Sequence, residues 1–233
     1  MTPNNSKVAM LSNPFATGGG GYYFERRVQA VFILSLLVEG FSPVLNCPIK
    51  EISFQTKRLG YDIDDLLVIG HHNGQSKKLL CQIKHSLRIT ENDGVFQEVV
   101  AAAWSDFNKK QFNTSCDKVL LATGMLAKDS VEALRTIHDQ ANAAASASEF
   151  FLCIEQANYI SDTVRNKLDI IKVLITRANE HKPASNEELW NFCKAFTLLV
   201  FDLDYENSLN QTLIQSLTRC NSTATVCGIN YVI

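Results

Sequence analysis

The sequence predicts an α/β chain in which helices cover a central sheet, and three observations carry that prediction. Two short apolar runs, Leu66, Leu67, Val68 and Ile69, then Leu79, Leu80, Cys81 and Ile83, flank the turn-forming segment His72-Asn73-Gly74-Gln75. Paired runs around a Gly-containing loop are the signature of an antiparallel hairpin. A long helical pattern precedes the hairpin, and amphipathic helical patterns alternate with strand-like runs after it.

Taken in order, residues up to Thr17 read as irregular, and residues 18–21 are a glycine run. That run lacks a Gly-Lys-Ser/Thr ending and follows no strand, which argues against a nucleotide-binding loop; it reads as a flexible helix entry, the alternative being backbone N–H groups that approach a DNA phosphate. The pattern over residues 22–40 ends at Gly40, a natural helix stop. Beyond Ala30 it is apolar nearly all round, which predicts a helix buried between layers. Glu25 stands in its first turns, where a carboxylate gains from the helix dipole.

Residues 48–56, with Ile49, Ile52 and Phe54, predict a strand leading into the hairpin. Residues 89–94 form a turn, 95–109 an amphipathic helix that packs on the sheet, and 117–123 a strand apolar enough to be central. A helix over 130–145 fades into an Ala/Ser-rich stretch, read as its frayed end or a short linker. Residues 149–155 are a brief apolar run that suggests a strand. Residues 161–177 carry Val164, Leu168, Ile171 and Ile175 on one helical stripe. Ser185 and Asn186 cap a helix reaching Lys194, residues 195–203 are strand-like, and a helix is expected around 208–219. The apolar ending, G-I-N-Y-V-I, reads as a docked terminus or as a cut from a longer protein. The expected division is a core over 1–148 and an α/β extension over 149–233.

At 233 residues, net charge −2, 46% hydrophobic and 20% charged, the chain has an ordinary soluble globular composition and length for a sound core. Near neutrality argues against a protein that coats DNA over its whole surface, but a local basic groove needs only a patch. Arg26, Arg27, Lys57, Arg58, Lys77, Lys78, His85 and Arg88 fall in the first third and supply such a patch. The seven cysteines are scattered singly with no CxxC, which excludes a zinc cluster and a disulfide framework and predicts reduced thiols. The N-terminal stretch lacks the apolar core of a signal peptide, and no segment reaches the roughly 20 apolar residues of a membrane span. A cytoplasmic chain without a membrane partner is the expectation.

The hairpin carries the chemistry. Asp64 and Asp65 open its first strand, and Gln82 and Lys84, two apart on the second, share a face because strand side chains alternate. Closing the hairpin lays the start of the first strand beside the end of the second and brings Asp64 or Asp65 within reach of Lys84. A carboxylate, an amide oxygen and a lysine gathered at one sheet end can hold a divalent cation beside a phosphodiester. His71 and His72 fall in the turn, away from that end, and His85 should point to the face opposite Lys84.

Asp, a short hairpin, then Gln-x-Lys resembles the PD-(D/E)xK nuclease motif in its Gln-x-Lys form, as in Mrr-type restriction enzymes. The glycine run followed by Phe24-Glu25, then I-D-D-L-L-V and C-Q-I-K-H, is similar to the double-stranded DNA endonuclease domains of CBASS effectors and Avs-type antiphage NTPases. The matched motifs span residues 18–88. The resemblance implies a restriction-endonuclease-like core, a central mixed sheet flanked by helices. It also implies a metal-dependent endonuclease that cuts double-stranded DNA with little specificity in antiphage defence. Mg2+, with Mn2+ as substitute, would be held by Asp64 (favoured over Asp65 from the Ile-Asp-Asp placement), Gln82 and Glu25, with Lys84 as the catalytic cation. The implied partners are double-stranded DNA, further copies of the chain on activation, and a C-terminal sensor or NTPase domain. The Gln in place of the usual Glu keeps open a nuclease-like module that binds DNA or protein without cutting.

Overall fold

The computed structural model describes residues 19–156 and 160–203. Helix α1 (Gly19–Leu37) takes up the long apolar pattern, with its glycines inside the first turn rather than before it. Phe24, Val28 and Phe32, spaced four apart, are its buried stripe. The expectation of a helix enclosed between layers is corrected: Leu37 is 65% exposed, and Ile33 and Leu34 are half-buried. Among the described residues α1 is an outer layer on one sheet face, and its apolar flanks exceed what the sheet covers.

Five strands form one sheet in sequential order: β1 (Ile49–Ser53), β2 (Leu66–His72), β3 (Gln75–Lys84), β4 (Lys118–Thr123) and β5 (Phe196–Val200). β1, β2 and β3 pair antiparallel, whereas β4 and β5 join parallel. The β2–β3 hairpin closes on Asn73 and Gly74, both at positive φ (50° and 77°), the conformation that a two-residue hairpin turn of matching twist requires. Alternation sorts the side chains. Leu66, Val68, Leu79, Cys81 and Leu120 pack with the α1 stripe, while Leu67, Leu80, Val119, Leu121 and Leu198 join the opposite cluster.

Gly70 in β2 lies against the bulged start of β1, and a Cβ there would meet Cys47 Sγ at 2.5 Å and the Pro48 carbonyl at 3.1 Å. Gly70→Ala is expected to destabilise by about 1–3 kcal/mol, the usual range for overpacking a filled site. Chemical denaturation of the two chains measures it.

The opposite face is covered by α2 (Gly94–Phe107), α3 (Lys128–Ala143), α4 (Ala147–Glu155), α5 (Asp162–Ala178) and α6 (Asn186–Ala195). Asp93, Ser146, Ser161 and Ser185 cap α2, α4, α5 and α6 through their side-chain oxygens, and Ser185 completes a capping box with Glu188. Val164, Leu168, Ile171 and Ile175 are all buried, as their spacing predicts.

Residues 149–155 are not a strand. With Ser146 as cap, Phe150 and Ile154 fall four apart on the buried side of α4, and a run this short gives strand and helix the same apolar content. One hydrophobic cluster runs from Leu67 through Phe96, Phe150 and Ile175 to Leu198, so packing continues across residues 148 and 149 and β5 completes the same sheet. The helix expected around 208–219 and the apolar ending lie outside the described residues. No helix of the described residues is long and apolar enough to cross a membrane. The described cysteines, Cys47, Cys81, Cys116, Cys153 and Cys193, are free thiols.

Candidate active site

The hairpin register places Leu66 opposite Cys81, so Asp65, one residue earlier, comes opposite Gln82. The Gln82 amide nitrogen and the Ile83 backbone N–H (2.6 Å) both donate to Asp65 Oδ2, leaving Oδ1 as the oxygen these donors do not use. From α1, Gln29 Nε2 donates to Glu25 Oε1 at 2.9 Å and reaches the Asp65 carbonyl at 3.4 Å, joining helix to hairpin. Lys84 ends β3 close enough to act electrostatically on both carboxylates. Among the described residues no hydrogen bond or ion pair engages its ammonium. Glu25, Asp65, Gln82 and Lys84 are therefore brought together at one end of the sheet.

Asp64 is not. Its carboxylate accepts the Lys57 backbone N–H at 2.9 Å and pairs with the Lys57 ammonium at 3.9 Å, facing the short 3-10 helix Thr56–Leu59. Asp64, favoured in the sequence, thus lies apart from the cluster that Asp65 joins. Adjacent residues entering a strand point to opposite sides, and the hairpin register puts Asp65 on the side of Gln82. Gln82 is buried at 8% exposure, and His85 turns to the α1 face, its ring edge-on to Phe24 at 5.2 Å. His71 and His72 are exposed near the turn.

The segment that delivers Asp65 is tied from two sides. Asp106, fully buried on α2, accepts the backbone N–H groups of Asp62 and Ile63 at 2.8 Å each. Thr56 donates its hydroxyl to the Ile63 carbonyl, and its N–H to the Asp64 carbonyl at 3.1 Å. Gln29, Thr56 and Asp106 escaped the sequence reading. The i, i+4 spacing of Glu25 and Gln29 was the only visible signal, since the other two act over long sequence separations.

Burial pushes the Asp65 carboxyl above the ordinary aspartate range and the neighbouring Asp64 adds to it, against the lowering effects of the Ile83 N–H, Lys84 and Gln82. Glu25 is raised as well, first by burial and then by the negative charge of Asp65, with Gln29 and Lys84 opposing. A carboxyl raised in the folded state contributes stability that is present below its unfolded value, about 4, and lost as pH rises through its folded value. Asp65→Asn removes that ionisation, so the variant's melting temperature minus the parent's is expected to grow as pH rises from about 4 toward 7. Thermal melts across that range check this, and a gap that shrinks with rising pH would contradict it.

The basic residues of the first third do not form one patch. Lys77 and Lys78 sit near the hairpin turn, about 20 Å along β3 from Lys84 at roughly 3.3 Å per residue. Lys78 is engaged by Asp117 at 3.7 Å, and the Arg26 guanidinium covers the Tyr22 ring at 4.5 Å. Among the described residues no three His, Cys, Asp or Glu side chains gather as a metal-holding group. Glu25, Asp65 and Gln82 contribute two carboxylates and one amide as oxygen donors. No protein-family model, curated protein or solved structure matches the chain.

Proposed function

We propose that this chain is a metal-dependent endonuclease of the PD-(D/E)xK superfamily, cutting double-stranded DNA with little sequence specificity. The observation that carries the reading is the convergence of Glu25, Asp65, Gln82 and Lys84 from α1, β3 and the residue before β2. The order helix, three antiparallel strands, helix, parallel strand supports a restriction-endonuclease-like core.

The donor set suits a hard cation: two desolvated carboxylates, each raised in pKa, gain from a positive charge between them. Asp65, Glu25 and the amide oxygen of Gln82 are the residues that would hold Mg2+. When bound, the ion polarises a phosphoryl oxygen and lowers the pKa of its water. Gln82 and the Ile83 N–H fix the Asp65 carboxylate. The Lys84 ammonium faces the charge that builds on the phosphate oxygens as the bond to the leaving oxygen breaks. A role in antiphage defence, activation by association of copies and a C-terminal sensor domain belong to the same proposal and rest on the motifs of residues 18–88.

A second reading, a nuclease-like module that binds without cutting, is favoured by the neutral Gln82 and the resulting pair of carboxylates. Supercoiled plasmid incubated with the chain at rising concentration, with Mg2+, Mn2+ or chelator, separates the two on a gel. Nicking and linearisation that need the ion support the enzyme. Retardation of a labelled duplex without cutting in either ion leaves the binding module.

A further inference from the structure

A second concave surface lies at the far end of β3, where Lys77, Lys118, Asn46, Gln75, Ser115 and Cys116 line a cavity of about 280 Å3. No carboxylate lines it. Lys118 opens β4 opposite Leu79, and its ammonium donates to the Lys194 carbonyl at 2.7 Å. Lys194 turns its own ammonium over the Trp190 ring at 3.5 Å. Asp117, next in the chain, does not serve as counter-charge. Its carboxylate is buried and taken by the Lys78 N–H (2.8 Å), the Asn113 N–H (2.9 Å) and the Lys78 ammonium. Among the described residues Lys77 has no ion pair. Burial first, then the charge of Lys194 and, after it, that of Lys77 push Lys118 below the usual lysine range, against an opposing effect of Cys116.

We infer that this cavity binds a small phosphate-bearing anion, with the Lys77 and Lys118 ammonium groups as its charge partners and the Asn46 and Gln75 amides as neutral donors. A phosphate group carries about two negative charges and several strong acceptor oxygens, which matches two ammonium groups beside two amides. The volume stands at the lower limit of ligand cavities, about 300 Å3, so the occupant is a phosphate with a short appendage rather than a dinucleotide. A duplex backbone fits less well, because its phosphates call for a basic stripe and Lys78, the next lysine, is engaged by Asp117. The site is separate from the cluster around Asp65 and stands whether or not that cluster cleaves DNA.

The test is calorimetric titration of the 233-residue chain with sodium pyrophosphate in the absence of divalent metal. One binding site is expected, weakened about tenfold or more by Lys77→Ala and by Lys118→Met, each of which removes a charge-assisted contact. Lys118→Met keeps the aliphatic stem, and Lys77→Ala, at a partly exposed position, serves should the first fail to fold. Lys84→Ala is expected to bind as the parent does. Absence of heat with the parent chain, affinity unchanged in both variants, or loss of binding in Lys84→Ala overturns the inference. So does a short DNA duplex that competes with pyrophosphate through the same two lysines.

Discussion

Exchanging Asp65 for Asn is expected to slow metal-dependent plasmid cleavage by about 10²–10³-fold, the loss seen when one electrostatic group is removed from a reacting site. Asp64→Asn is expected to leave the rate close to that of the parent. The two substitutions remove the same charge from neighbouring positions, so net charge and long-range steering change equally. Only the direction of the side chain differs: Asp65 shares hydrogen bonds with Gln82 and Ile83 and the field of Lys84, while Asp64 is occupied by Lys57. Lys84→Ala is expected to match Asp65→Asn, because its positive charge acts on both carboxylates. Initial rates with Mg2+, on chains whose circular dichroism matches the parent, measure all three. Full activity in both Asp65→Asn and Lys84→Ala removes the nuclease reading; activity lost only in Asp64→Asn transfers the role to the other aspartate.

The pairing behind this contrast was legible in part. A two-residue turn at Asn73-Gly74 fixes the hairpin register, and register carries Gln82 to the residue before Leu66. The sequence thus locates the meeting point of the strands. Alternation alone does not say which of two adjacent aspartates joins Gln82; the register set by that turn puts Asp65 opposite it and leaves Asp64 to Lys57. The basic residues misled for a related reason: proximity in sequence along an extended strand is distance in space, and the length of β3 carries Lys77 away from Lys84. At α4 the local pattern was ambiguous, and burial of Phe150 and Ile154 against the other helices selected the helix.

Asp106→Ala is expected to cost about 3–5 kcal/mol of folding stability, the range for removing one member of a buried, hydrogen-bonded charge pair. No sequence pattern marked this residue, yet its side chain is wholly buried and serves three donors: the N–H groups of Asp62 and Ile63, and Lys109 Nζ at 2.7 Å. Alanine leaves two backbone donors without an acceptor where water enters poorly, each costing about 1–3 kcal/mol. Lys109 is spared part of the loss, since Asp62 Oδ2 stays at 2.7 Å from the same ammonium. Asp106→Asn keeps one acceptor oxygen and is expected to fall between parent and alanine. At about 2–4 °C per kcal/mol for a domain of this size, the alanine chain should melt roughly 10 °C lower. Thermal and urea denaturation check the order, and an alanine chain as stable as the parent would show that the two N–H groups find other acceptors. The same bonds bear on chemistry: Asp106 holds the backbone only two residues before Asp65, so in Asp106→Asn, still folded at assay temperature, the carboxylate is less well held against Gln82 and the Ile83 N–H. Its cleavage rate is then expected to drop more than its fraction folded, which separates positioning from stability.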